Sequence, residues 1–310
     1  MIKAELRRVF LVQKGLLLIL IMCVAVAIYY YIKNESYITK EQYQQLSEFY
    51  IKFEGEVTEE KKDVINKGYE KYYGKPCVEA YLYQVVKDDT QDKTYLVYDE
   101  GWNSLITFGY SDFPLWVAVI IMGTVIFAYD AGYKVQNIHN TSVNGRRKLI
   151  LARIAVWCVS SFLLVLVSGL TELVMAKVFV GLRCFDGPIR AAGTFTDCTM
   201  NISLFEGILL ANFLKFIGVV MIGLFMGFVA TLIRNMYITI IASTVVTFEN
   251  FFLSALFDKP YLMPFRLLMP YQAINTNNVF RVLVVAFIII GVLFTACILI
   301  NNEKSRRRLV

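Results

Sequence analysis

Apolar residues in this chain gather into six long runs, at about 15–33, 114–130, 149–181, 205–233, 236–257 and 280–301, separated by charge-rich stretches. Leu16 to Tyr31 and Val282 to Ile300 carry no charge at all. A helix needs about 20 mostly apolar residues to cross the hydrocarbon core of a bilayer. The pattern therefore predicts an all-α polytopic membrane protein with six transmembrane helices. Runs three and four are long for a bilayer and must tilt, kink or project into water, with Ser168-Gly169 the expected kink point.

The polar stretch 34–113 predicts a small domain between the first two spans, α+β or mostly helical. Thr39 with Gln42 resembles a capping box opening a helix from Glu41 to Phe53, ended by Gly55. Thr58 with Lys61 opens a second helix from Glu59 to about Tyr72, closed by Gly74 before the break at Lys75-Pro76. Alternation over Ala80–Val86 and Thr94–Tyr98 predicts a hairpin turning at Asp88–Asp92. Its expected core is Phe49, Tyr50, Phe53, Val64, Ile65, Tyr69 and Tyr72. A domain this small is marginal alone and is expected to lean on the membrane part.

Composition agrees: 57% hydrophobic, 15% aromatic, mean hydropathy +0.55. The net charge of +6 is distributed as a topology signal. Lys3, Arg7, Arg8 and Lys14 precede the first run. Lys134, Arg146, Arg147, Lys148 and Arg153 lie between runs two and three, Arg234 between four and five, and Lys304, Arg306, Arg307 and Arg308 after six. The positive-inside bias places both termini in the cytoplasm and 34–113 outside, in a bacterial plasma membrane. Solvated flanking charge accounts for the basic balance, so nucleic acid is not an expected partner. The first run lacks a small-residue cleavage site and reads as a retained span. Tyr29, Tyr30, Tyr31 and Trp116 suit the outer interface and Trp157 the inner one. Cys23 reads as packing.

Chemistry-bearing motifs are few. There is no G-x-x-x-x-G-K-[ST], no H-E-x-x-H, no G-x-S-x-G and no cysteine pair at metal spacing, so neither ATP hydrolysis nor a metal centre is expected in this chain. The one histidine, His139, falls in a predicted loop. Asp130, Glu172, Lys177, Glu206, Lys215 and Glu249 lie in or near the runs, where ionisable groups usually face protein or a water path. Glu172, Glu206 and Lys215 are the pathway candidates. The competing assignments are wet boundary positions for Glu172, Lys177 and Glu206, and a snorkelling stem for Lys215. Gly223 and Gly227, with Gly218, permit close helix packing within the chain or between chains. Cys184 and Cys198 share one short predicted external loop, as a disulfide or as two free thiols.

The ordered set of features resembles the ABC-2 type transporter permeases, the membrane subunits of ABC exporters. Ile2, Leu6, Val9 and Phe10 on one face, with bases on the other, resemble the amphipathic elbow of that family. Asp130, Gly132, Thr141-Ser142-Val143, Arg146 and Lys148 resemble its stretch after the second span, with Asp where Glu is commoner and no Pro in the turn. Pro260, Pro264 and Pro270 suit its re-entrant segment. The resemblance covers about 1–33 and 114–302. It implies an elbow and first helix over 1–33, an extracellular insertion over 34–113, a coupling loop over 131–148, a re-entrant loop over 258–279 and a basic tail over 303–310. It also implies a partner dimer of ATPase subunits that binds the ATP and Mg, docking on Arg7, Arg8, Asp130, Gly132, Arg146, Arg147 and Lys148, and a second permease chain, identical or sister. Among permeases of Gram-positive bacteria such insertions accompany antimicrobial-peptide export or immunity. A peptide or amphiphile is the expected substrate. The alternative is a membrane sensor or accessory protein whose outer domain binds a ligand without transport.

Overall fold

The computed structural model describes residues 1–36, 40–75, 77–106, 112–129, 145–233, 235–253, 267 and 270–306. Asp130, Gly132, His139, most of the expected coupling loop, most of 258–270 and residues 307–310 lie outside the described residues. The chain starts with α1 (Ile2–Arg7) and a π-helical turn over Arg8–Val12. Lys14, with a left-handed φ of 58°, separates this segment from α2 (Gly15–Ser36). Then come α3 (Lys40–Ile51), α4 (Glu59–Tyr72), α5 (Val78–Asp92) and α6 (Glu100–Ile106). A two-stranded antiparallel ribbon, β1 (Gly55–Glu56) and β2 (Tyr95–Leu96), pairs Gly55 with Leu96. The rest is α7 (Phe113–Phe127), α8 (Gly145–Phe179), α9 (Leu204–Ile233), α10 (Met236–Leu253), the short α11 (Tyr271–Asn275) and α12 (Val279–Arg306).

Among the described residues, four helices are long and apolar enough to cross a membrane: Gly15–Ile32, Lys148–Phe179, Leu204–Ile233 and Val279–Ile300. Phe113–Phe127 and Met236–Phe248 are shorter apolar helices. Long apolar faces stay uncovered. Leu16, Leu20, Val24 and Ile28 recur along α2 and Phe280, Val284, Phe287 and Ile288 along α12, each at least 44% exposed. Such continuous apolar surface suits lipid contact and not water.

Cross-helix pairs fix the direction of each helix. In α2 and α8, the Thr171 hydroxyl lies 3.5 Å from the Cys23 sulfur, and the Tyr31 and Phe179 rings are 6.5 Å apart, so the two run parallel. In α8 and α9, Trp157 meets Gly223 and Gly169 meets Asn212, so these are antiparallel. Asp112 beside Lys215 and Gly123 beside Met226 make α7 parallel to α9. Phe248, late in α10, packs on Phe113 and Trp116 at the start of α7. Helix α12 begins in the cluster around the first half of α9 and reaches the cluster around its second half at Cys297. The apolar helices thus alternate in direction. One end of the bundle carries the N-terminal segment and the start of α8; the other carries the domain built on α3–α5.

In that domain the expected hairpin is corrected to a helix. Leu82, Val86 and Thr90 are buried at intervals of four, which is helical spacing, and only Tyr95–Leu96 pairs as a strand. The Thr58 cap is present, its hydroxyl accepting from the Lys61 amide at 3.4 Å, and Gly74 ends α4 with φ +74°. Phe49, Tyr50, Phe53 and Ile65 form the core with Leu82, Val86, Leu96 and Tyr98, while Val64 is 54% exposed.

Two expectations about the bundle are corrected. Trp116 and Trp157 are wholly buried and are not interface anchors. Helix α8 is continuous over Ser168-Gly169, where Gly169 makes room for the Asn212 amide. The second apolar element also begins before residue 114. Val97, Trp102, Leu105 and Ile106 are buried in the bundle's core, and α6 lies on α8 and α9. Ile106 sits beside Gly207, Asp112 beside Lys215 and Gly123 beside Met226, so α6 and α7 lie in line along α9 as two helical pieces of one element. Residues 107–111, between them, are outside the described set.

The Gly223/Gly227 stripe closes an interface within the chain. A Cβ on Gly223 would lie inside the Trp157 indole ring, and one on Gly227 would press on Phe127 at 3.1 Å. The Trp157 Nε1 donates to the Val220 carbonyl at 3.3 Å. Overpacking of this kind costs about 1–3 kcal/mol or more. Gly223→Ala should therefore markedly lower the thermal stability of the purified protein, whereas Gly291→Ala, where a Cβ meets nothing within 4 Å, should leave it unchanged. Equal melting of the two variants in detergent would contradict this packing.

Candidate functional site

Inside the bundle, the described residues place three ionisable side chains together. The Lys215 Nζ lies 2.5 Å from Asp112 Oδ1 and 3.7 Å from Glu172 Oε2. All three are nearly sealed, with Asp112 1%, Glu172 3% and Lys215 3% exposed. Lys215 is eleven residues into α9, about 16 Å along its axis from Leu204. Asp112 occupies the N-cap position of α7 but caps no amide; its carboxylate turns to Lys215 instead. Glu172 also receives the Ser168 hydroxyl at 3.5 Å. Tyr30, 1% exposed, and Ser104 stand beside the group.

The lysine is held by two carboxylates, with Ser168 and Tyr30 beside them, between apolar helices. Removing ions from water costs several kcal/mol each, and deleting one member of a buried pair typically costs about 3–5 kcal/mol. The cluster ties the start of α7 to α8 and α9 at the point where α6 gives way to α7. Helix breaks inside membrane domains are tolerated where their polar groups are answered by protein.

Among the expected pathway residues, Glu172 and Lys215 come together, and neither is a wet boundary group or a snorkelling one. Glu206 is elsewhere: it caps α9, its carboxylate accepting from the Ser203 amide at 2.8 Å while the Ser203 hydroxyl accepts from the Glu206 amide at 3.2 Å. That Ser-x-x-Glu signature stood in the sequence unread. Asp112 was missed because Ser-Asp-Phe-Pro before an apolar run reads as a domain edge. Of the two alternatives for Cys184 and Cys198, the structure has two free thiols. The Cys198 thiol points to the Ile274 carbonyl at 3.6 Å, while Cys184 lies by Tyr95 and Glu54, its thiol pushed up to about 11 by burial and then by Glu54.

A second polar cluster joins the α3–α5 domain to the loop after α8. Lys93, 9% exposed, donates to Asp89 at 2.9 Å and Asp99 at 3.0 Å. Tyr50 donates to Asp89 at 2.6 Å, and the Gly193 amide donates to Asp99 at 2.6 Å. Among the described residues no group of three His, Cys, Asp or Glu is placed to hold a metal. Comparison with protein-family models, with curated proteins and with solved structures gives no match for this chain.

Two outcomes test these clusters. Lys215→Met should unfold or strongly destabilise the protein, and adding Asp112→Asn and Glu172→Gln should restore much of the loss; a triple variant no more stable than the single one in a detergent melt would contradict the compensation. The second outcome concerns alkali. Burial pulls the Lys93 pKa down, but Asp99 and Asp89 outweigh it and hold it above the ordinary lysine value. Burial and then Asp89 push Tyr50 up. Both folded values exceed the unfolded values of about 10. Their contribution is complete below pH about 10 and is lost as pH rises through the higher folded values. Stability of the α3–α5 domain, followed by limited proteolysis, should be flat from pH 7 to about 9.5 and fall above about 10. Lys93→Met should lower it at pH 7 and flatten that fall.

Proposed function

We propose that this chain is the membrane subunit of an ATP-driven transporter of the ABC-2 type, with six spans, both termini cytoplasmic and the α3–α5 domain outside. The N-terminal segment carries the reading. Val9 is fully buried, and Leu6 and Phe10 pack against the bundle, while Lys3 and Arg7 are exposed. Arg8 pairs with Glu5 at 2.6 Å. Helix α1 lies against α8, whose first residues are Gly145-Arg146-Arg147-Lys148, with Lys148 exposed. An amphipathic basic element thus sits beside a second basic element at one end of the bundle, where a partner ATPase has something to push.

In this reading the ATPase dimer binds and hydrolyses ATP, and its closure moves the elbow and the start of α8. A second permease chain completes the path, and a peptide or other amphiphile leaves or is extracted outward. Asp130 and Gly132 anchor the loop that transmits the force. A second reading, a ligand-binding sensor that transports nothing, is favoured by a cleft of about 760 Å³ between the α3–α5 domain and the loop after α8, lined by Leu46, Tyr81, Val85 and Asp197.

Co-expression with a cognate ATPase is the test. The complex should survive purification, and the chain alone should hydrolyse no ATP. Charge reversal at Lys3, Arg7 and Lys148 should weaken capture at least tenfold. Asp130→Asn should leave capture intact while reducing transport. ATP hydrolysis by the isolated chain, or capture indifferent to the reversals, would sink the reading.

A further inference from the structure

The N-terminal segment meets the bundle on one side only. Leu6, Val9 and Phe10 pack on the bundle's core, whereas Leu11 and Val12 are left 61% and 73% exposed. The chain bends at Lys14, where φ is 58°, and the π-helical turn lies against the start of α2. Gly15 allows that approach: a Cβ there would lie 2.8 Å from the Val9 carbonyl oxygen. On the α2 arm of the bend Leu16 and Leu17 are 54% and 49% exposed, and the uncovered stripe of Leu20 and Val24 continues from them. Both arms of the bend therefore present uncovered apolar side chains. Charge flanks the same corner. Lys3, Arg7 and Lys14 are exposed and pair with no carboxylate. Glu5, the one acid in residues 1–14, is taken by Arg8 at 2.6 Å. The chain segments that follow α7, open α8 and end α12 do not reverse the sign: residues 130–147 and 302–310 hold Asp130 and Glu303 against seven Lys and Arg.

We infer that this corner seats an anionic phospholipid, its phosphate between Arg7 and Lys14 and its acyl chains along Leu11, Val12 and Leu16. Three other surroundings fit less well. Water would leave a continuous apolar corner uncovered. A second copy meeting this face about a two-fold axis would set Arg7 and Lys14 against their own counterparts. A zwitterionic lipid covers the leucines but brings an ammonium of its own to the two cations. An anionic lipid answers both features at once, as basic amphipathic segments at a membrane boundary do. Its occupancy also braces the bend at Lys14, because one molecule then touches the N-terminal segment and α2 together. No ATPase is needed, and Leu11, Val12 and Lys14 stand outside the residues offered for ATPase docking, so the two readings fail separately.

The test places a tryptophan at the corner. Trp102, Trp116 and Trp157 are 0% exposed, so in the full-length Val12→Trp protein the added indole is the one that lipid reaches. The protein is put in nanodiscs of phosphatidylcholine, with the same small fraction of lipid replaced by brominated phosphatidylglycerol or by brominated phosphatidylcholine. The anionic quencher should quench about twofold or more better at equal fraction, and less so as salt is raised. Arg7→Gln with Lys14→Gln should abolish the preference while leaving quenching by phosphatidylcholine, and Lys14→Gln alone should reduce it. Phe287→Trp, at an exposed position within α12, should show no preference. Inorganic phosphate at matched ionic strength should not compete, which separates a lipid seat from a phosphate-ion site. Leu11→Trp repeats the measurement at the neighbouring exposed position, and unchanged melts show that each variant is folded. Equal quenching by the two lipids at residue 12, a preference that survives the double variant, displacement by inorganic phosphate, or no quenching by either lipid would each overturn the assignment.

Discussion

Lys215 is an ammonium enclosed by protein between apolar helices, tolerable there because Asp112 and Glu172 answer it at 2.5 and 3.7 Å. The constraint runs both ways. Each carboxylate would be as costly to bury as the lysine if it stood alone. The three residues come from α9, α7 and α8, so none of these helices can slide or rotate by a turn without leaving a charge unpaired. The triad thereby sets the depth at which α7 begins, well below the start of α9, and leaves α6 to fill the same column above it.

Away from the triad, the helices are held by shape. Lipid tails are as apolar as leucine, so helices in a membrane gain little from hiding leucine from lipid and more from close packing. Gly223 and Gly123 form the seat of the Trp157 indole, Gly169 that of the Asn212 amide, and Gly207 that of Ile189. Each is a small residue on one helix opposite a large side chain of a neighbouring helix or, for Ile189, of the loop after α8. The result is a bundle in which the tryptophans are core, with Trp102 also buried and donating to the Arg183 carbonyl at 2.9 Å.

The α3–α5 domain is built differently. Its core is small and aromatic, and its stability is shared with the loop it rests on. The Asp99–Gly193 contact and the 2.9 Å hydrogen bond from the Thr194 hydroxyl to Asn103 cross to that loop, while Val180 packs on the core from the end of α8. A domain of this size buries too little surface to be independent, and this one docks.

The sequence by itself determined the parts that depend on local pattern. Continuous apolar runs specify apolar helices wherever the chain places them, and the long helices fall where the runs do. Thr58 and Gly74 bound α4 because capping and left-handed backbone are local chemistry. The apolar face of the N-terminal segment, where Leu6, Val9 and Phe10 pack on the bundle, was legible for the same reason: apolar residues three and four apart make one face in any helix. Tertiary structure alone decided what each polar or aromatic side chain does. Glu172 and Glu206 have the same side chain and similar flanks, yet one is a buried counter-ion and the other a helix cap. Asp112 could not be chosen from the sequence because its partner is 103 residues away. Gly223 could be called an interface glycine, but not the seat of Trp157. The Ala80–Val86 stretch alternates and also repeats every four residues, and packing on Phe49 and Phe53 selected the helix. Pairing energy depends on distance in space, and a chain read in one dimension carries that distance only for neighbours.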